Sequence, residues 1–372
     1  MIYLDYSATT MPNKEVIETY VNVSNKFIGN SNSLHKLGVN ANELIKTCTK
    51  QIQNILNVDH EVIYTSGASE SNNLAIKGIC EKNRGKHIIT TNLEHSSIYG
   101  PITYLVNKGY TVDFVNTNEH GLVDLNHLES LITDDTVLVT INYVNSELGL
   151  KQPINKINEI VKKHKNCYLH VDATQIIGKD KVNLKDIDLV SFTAHKFYGL
   201  VGIGVLLRKQ NVKLENNIHG GKSTSIYRSG TPSTSLIASI AKALRLAYID
   251  IDLKYKHVQK LNDILINNLS KYENVLINHN KYCLPHMLNI SITNIKPETF
   301  LHALEEDEIY ISTQSACSKT DKSRAVYEFT KNEKASTSSL RISISYLTTE
   351  EEINKFIKSF KKNIERLTYE NN

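Results

Sequence analysis

A lysine follows a histidine directly in SFTAHKFYG, residues 191–199, just past the apolar run KDIDLVSF. The run reads as a buried strand, which places Lys196 at the rim of a sheet. An amine is costly there unless something uses it. Other strand ends carry groups suited to meet it. YTSGASESNN follows a strand and opens a helix. Gly67 permits a tight backbone, Ala68 and Ser69 are small, and the first helical amides favour an anion such as a phosphate. Ordinary N-capping by Ser66 or Ser69 explains the same residues. LHVDATQ ends a strand with Asp172 and then Gln175. Asp172 is either a structural cap or the partner of a protonated ring nitrogen. NLEHSS places Glu94 and His95 after the strand KHIITT. A histidine there is either a satisfied structural residue or a ring that stacks on a planar ligand. Together these ends supply a phosphate cradle, an acid for a ring nitrogen, an aromatic ring and an amine. Those are the parts that hold pyridoxal 5′-phosphate (PLP), with Lys196 as the amine that attacks its aldehyde. Burial and nearby positive charge lower a lysine's pKa and favour that attack. The glycines of GLVGIG, 199–204, have the wrong spacing for a dinucleotide fingerprint and lead into a strand, not out of one.

The elements that must position these groups alternate. From about residue 60 to 210, EVIYTS, KHIITT, TVDFVN, TVLVTIN, CYLHVD, DLVSF and GIGVLLR read as strands, with helical stretches between several of them. That pattern predicts βαβ units, a mostly parallel seven-stranded sheet and an α/β fold, with the ligand outside the carboxyl ends of the strands. From Ser233 to about Leu269 the spacing predicts one long helix leading out of this domain. PHMLNISI, EIYIST and LRISIS then read as strands of a smaller α+β domain. The expected division is residues 14–250 for the large domain and 251–372, joined by 1–13, for the small one.

Composition is that of an ordinary soluble globular chain. It has 372 residues, 40% hydrophobic and 22% charged, with a net charge of +4. The basic residues are scattered, so no direct nucleic-acid surface is expected. No apolar run approaches the roughly 20 residues of a membrane span, and MIYLDYSATT does not read as a signal peptide. The five cysteines, Cys48, Cys80, Cys167, Cys283 and Cys317, form no CxxC pair. A disulfide framework or structural zinc is therefore not expected, and a reducing cytoplasm is. Cys317 lies in the polar stretch STQSACSKTDKSRAV, which reads as a loop. The other four sit in helical or strand patterns and are assigned to packing.

Over nearly its whole length the chain resembles the cysteine desulfurases, in the class V aminotransferase group of fold-type I PLP enzymes. YLDYSATT, GNSNSLHKLG, TSGASESNN, EHSS, ELG, HVDATQ, SFTAHKFYG, GIGVLL, RSGT, STQSACS and SSLRIS occur in the family's order. The resemblance implies that Lys196 is the PLP lysine, and His95 the stacking ring and an acid/base. Asp172 then partners the ring nitrogen and Gln175 bonds the ring hydroxyl. Ala68, Ser69, Thr193 and His195 contact the phosphate, and Thr231 reaches it from the second subunit of a homodimer. Arg341 clamps the substrate carboxylate, for which its planar fork is suited. Asn145 and Ser146 stand where the family has two asparagines, near the cofactor hydroxyl and the substrate carboxylate. Cys317 takes sulfur from L-cysteine as a persulfide, which needs a thiolate, and alanine is released. Lys196 moves the α-proton. The persulfide passes to an acceptor protein, in iron–sulfur cluster assembly or tRNA thiolation. HGGKSTSIY and CSKTDKS also depart from the family's pattern, at the subunit-crossing loop and after the nucleophile. The same scaffold serves aminotransferases, selenocysteine lyases and other β-eliminating enzymes, and a non-catalytic sulfur carrier is a further alternative.

Overall fold

The computed structural model describes residues 1–313 and 322–370. Cys317 therefore lies outside the described residues. The strands are β1 (Ile2–Tyr3), β2 (Glu61–Thr65), β3 (His87–Thr90), β4 (Thr111–Phe114), β5 (Thr136–Asn142), β6 (Tyr168–Asp172), β7 (Leu189–Thr193), β8 (Gly204–Arg208), β9 (Val275–Asn278), β10 (Met287–Ile292), β11 (Ile309–Tyr310) and β12 (Ser339–Ser343).

Seven strands form the main sheet in the order β2-β8-β7-β6-β5-β3-β4. β8 runs antiparallel to β2 and β7, and the other pairings are parallel. All seven residues of β5, TVLVTIN, are buried. A central parallel strand covered on both faces needs a run this rich in apolar and β-branched residues. β4 closes one edge and is largely exposed. The fold is thus the α/β architecture expected, with the predicted strands in place and the polar strand ends gathered at one edge.

Two short strands escape the sequence pattern. β1 pairs in parallel with β11, and β9 lies beside β10 in a three-stranded antiparallel sheet, β12-β10-β9. The expected long helix is instead two, Thr234–Tyr248 and Ile251–Leu269. The break falls at Asp250, which is left-handed at φ 53°. Aspartate tolerates that conformation, and the chain must turn there because its apolar faces change cores. Ile237, Ile240 and Leu244 of the first helix pack around the main sheet. Val258, Leu261, Leu265 and Leu269 of the second pack with β10, β12 and the helix Glu350–Glu370. Ile2 and Leu4 join this second core.

Candidate active site

The carboxyl ends of β2, β6 and β7 open onto a cavity of about 440 Å³. Ten of the sequence-predicted residues line it: Ala68, Ser69, His95, Ser146, Asp172, Gln175, Thr193, His195, Lys196 and Arg341. Lys196 follows β7 in a single 3-10 turn. Its Nζ donates to the carbonyls of Ser7 and Ala8, at 2.7 and 2.6 Å. The N-terminal segment thereby holds the amine in place.

Asp172 ends β6 and is nearly buried. Its Oδ1 accepts from the Thr174 amide at 3.0 Å and its Oδ2 from Asn72 Nδ2 at 2.9 Å. The other proton of that Asn72 amide goes to Ser97 Oγ, also at 2.9 Å. Ser97 Oγ in turn lies 2.9 Å from His95 Nδ1, which also accepts from the Ser97 amide. With Asn72 donating to it, the Ser97 hydroxyl gives its proton to the imidazole. His95 Nδ1 is thus an acceptor twice over, so the neutral ring carries its proton on Nε2. Burial pushes the His95 pKa below the usual histidine value, with Lys196 adding to the shift and Asp172 opposing it. A continuous chain therefore runs from Asp172 through Asn72 and Ser97 to His95.

The helix Ala68–Lys82 starts at the cavity wall with no side chain accepting from its first amides. Its entry turn lies against β8. A Cβ on Gly204 would sit 2.6 Å from the Gly67 carbonyl carbon, so only glycine lets the two backbones meet. The Thr193 hydroxyl donates to Ile203 O at 2.9 Å, so in this structure its proton is already engaged beside that turn. His195 Nδ1 lies 3.1 Å from Thr9 Oγ1. Its pKa is driven down to about 4, first by burial and then by Lys196 and Lys179.

Arg341, on β12, reaches the cavity from the second core. Its Nη2 pairs with Asp5 Oδ1 at 2.8 Å and its Nη1 donates to the Ser146 carbonyl at 3.0 Å. Ser146 thus contributes through its backbone. The Ser7 hydroxyl donates to that same carbonyl at 3.0 Å.

Two predicted residues stand apart from the cavity. Asn145 does not line it. Its Nδ2 donates to Leu93 O, and its Oδ1 accepts from the amides of Glu147 and Leu148. That side chain shapes the turn that carries Ser146. Thr231 lines a neighbouring cavity of about 190 Å³, which shares Ser66 and Gly202 with the first. The four described cysteines are free and buried. Burial raises the thiol of Cys48 to about 11 and those of Cys167 and Cys283 to about 12, and Cys80 higher still. None of them is a thiolate at neutral pH, which fits their assignment to packing.

Sequence reasoning missed Asp5, Ser7, Asn72, Ser97 and Lys179. Lys179 is 7% exposed, and its Nζ donates to both Oε1 and the backbone O of Gln175, at 2.9 and 3.1 Å. Its signal in the sequence is an amine in GKD just after the apolar pair Ile176-Ile177. Among the described residues no cluster of histidine, cysteine or carboxylate has metal-binding geometry, and no helix is long and apolar enough to cross a membrane.

Known proteins share this architecture. The cysteine desulfurase IscS of Buchnera aphidicola subsp. Acyrthosiphon pisum (strain 5A) is 40% identical over 379 residues, covering 98% of this chain and 93% of that protein. The IscS of Neisseria meningitidis serogroup A / serotype 4A (strain DSM 15465 / Z2491) is 37% identical, with the same coverage. A solved NifS-like protein superposes with a TM-score of 0.92 at 32% identity, covering 98% of this chain and 99% of that one. SspA, solved in complex with cysteine, gives 0.82 at 29% identity, over 94% of this chain and 100% of the other. The family model for class-V aminotransferases matches residues 2–356, and the chain belongs to that family.

Proposed function

We propose that the chain is a PLP-dependent cysteine desulfurase, which moves sulfur from L-cysteine to Cys317 and releases alanine. One observation carries the reading. A single cavity gathers the Lys196 amine, the Asp172 carboxylate and a helix N-terminus whose first amides lack a side-chain cap. These groups fit the aldehyde, the ring nitrogen and the phosphate of PLP. Ala68 and Ser69 would hold the phosphate, Asp172 the ring nitrogen, Gln175 the ring hydroxyl and His95 a ring face. When bound, PLP supplies an electron sink that makes the substrate α-proton acidic and its Cβ–S bond breakable.

The chain's own residues do the rest. Lys196, whose Nζ the Ser7 and Ala8 carbonyls hold at the cavity, would take up and return the α-proton. His95 presents Nε2–H as a neutral donor. Arg341, oriented by Asp5 and the Ser146 carbonyl, would hold the substrate carboxylate. The Cys317 thiolate attacks the substrate sulfur, a sulfur–sulfur bond forms and the carbon–sulfur bond breaks. Ser312, which lines the cavity, precedes Cys317 by five residues.

The same reading pairs two copies of the chain, with Thr231 completing the phosphate site of its partner. It places the enzyme in a reducing compartment such as the cytoplasm, and hands the persulfide to an acceptor, either an iron–sulfur scaffold or a tRNA-thiolating enzyme. It assigns residues 14–250 to one domain and 251–372 with 1–13 to the other, a division supported by the second core, which draws only on residues from the latter ranges. The test is direct. With L-cysteine, the PLP-loaded chain should release alanine, and mass spectrometry should find one added sulfur on Cys317. Lys196→Ala should lose the visible absorption of bound PLP. Unmodified Cys317 in a turning-over enzyme would refute the desulfurase reading.

A further inference from the structure

Lys179 is a buried amine with no carboxylate partner among the described residues. Burial of that kind disfavours a charge, and a lysine is retained there at a cost. Burial, with Lys196 and Arg341 adding to it, pulls the Lys179 pKa down to about 7. Gly178, at φ 75°, makes the turn that folds the lysine back. A Cβ there would meet Phe197 Cβ at 2.7 Å and Ala247 Cβ at 2.9 Å.

Both hydrogen bonds of Lys179 go to one residue, Gln175. A carboxamide has two faces, a carbonyl that accepts and an amino group that donates, and half a turn exchanges them. Gln175 is gripped on both sides. Lys179 Nζ, a donor, sits 2.9 Å from Oε1. The Ser7 carbonyl, a pure acceptor, sits 3.1 Å from Nε2. The two partners demand the same orientation. The second Nε2 proton takes no partner among the described residues, and Gln175 lines the cavity. We infer that Lys179 is a positioning residue that locks the Gln175 amide with its N–H group, not its carbonyl, available to the cofactor. The lock holds in either charge state, since a neutral amine still carries enough N–H groups for both acceptors. An oxyanion on the cofactor ring then always meets a donor. Without Lys179 only the Ser7 carbonyl restrains the amide, and the flipped state, which presents a repelling oxygen, gains population. This inference rests on the PLP reading above and deepens it.

The experiment titrates apoprotein with PLP, following the visible absorption band, for the unaltered chain, Lys179→Met and Lys179→Gln. Both variants should bind PLP about tenfold more weakly, the worth of one oriented hydrogen bond, and should shift the absorption band. Their apoproteins should melt no lower than the unaltered one, because a buried amine has been removed. In a Gln175→Ala background Lys179→Met should change the affinity less than about twofold, since the group it orients is gone. Unchanged affinity and band in both variants would overturn the inference. So would a tenfold loss that persists in the Gln175→Ala background. Apo melting temperatures lowered by more than about 10 °C in both variants would make Lys179 structural and overturn it too. If the unaltered chain binds no PLP, the functional reading falls and this inference with it; if it binds and the variants match it, this inference alone fails.

Discussion

Two helices begin at the same cavity and end their N-termini in opposite ways. The helix Ser96–Val106 is capped by a side chain, the His95 imidazole, which accepts from the Ser97 amide. The helix Ala68–Lys82 has Gly67 at its cap position and no side-chain acceptor. Helix amides want an acceptor, and a protein that withholds one leaves an anion site. A protein that supplies one from a histidine obtains a ring of fixed tautomer. One terminus is thus left open at the cavity, and the other holds a proton on a chosen nitrogen.

The largest effect should come from closing the open terminus. Gly204→Ala drives a methyl group into the Gly67 backbone, 2.6 Å from its carbonyl carbon. Displacing that turn should cost about 1–3 kcal/mol by denaturant unfolding, and PLP uptake should be lost. Wild-type uptake would show that the turn does not form the cradle.

Capping the open terminus is the more telling change. Gly67 is extended, at φ 165°, and the nearest atom to a Cβ there is Thr193 Oγ1 at 3.9 Å, so a side chain fits. Gly67→Asp should stabilise the apoprotein by about 0.5 kcal/mol while weakening PLP binding by roughly 100-fold, because the carboxylate takes the phosphate's place and repels it. Stability and affinity moving together would break the comparison.

The capped terminus should respond to pH where the open one does not. Protonation of His95 Nδ1 turns an acceptor into a donor facing the Ser97 amide. The folded pKa is lowered, so the cap's contribution is complete above the ordinary histidine value and is lost as pH falls through the lower folded value. His95→Ala should cost about 1 kcal/mol at neutral pH, measured on the apoprotein, whereas His95→Asn, which can still cap, should cost a few tenths. Equal losses in the two variants would show that the ring's packing, not its acceptor, matters.

Much of this was legible in the sequence because it is local. Lys196, Asp172 and the TSGASESNN turn each follow a strand whose apolar run announces where it ends. The rest depends on contacts between distant segments. Asn72 meets Asp172 across 100 positions, and Ser7 meets Lys196 across 189. No periodicity marks such pairs. Lys179 reads as an ordinary loop lysine until the turn at Gly178 folds it inward. β1, with two residues, is too short to carry a pattern. The break at Asp250 was hidden because both halves have helical spacing, and only the change of core reveals the turn.

Ser7 binds two cavity side chains through one carbonyl, and the segment that carries it is anchored by strand β1 against β11. Residues made before the main sheet therefore wait for residues made after it before they find their places. A nascent chain that has displayed Lys196, Asp172 and the uncapped helix still lacks β11 and Arg341. On the proposed reading, PLP uptake is thereby tied to the synthesis of β11, and chains cut short before Ile309 should stay colourless.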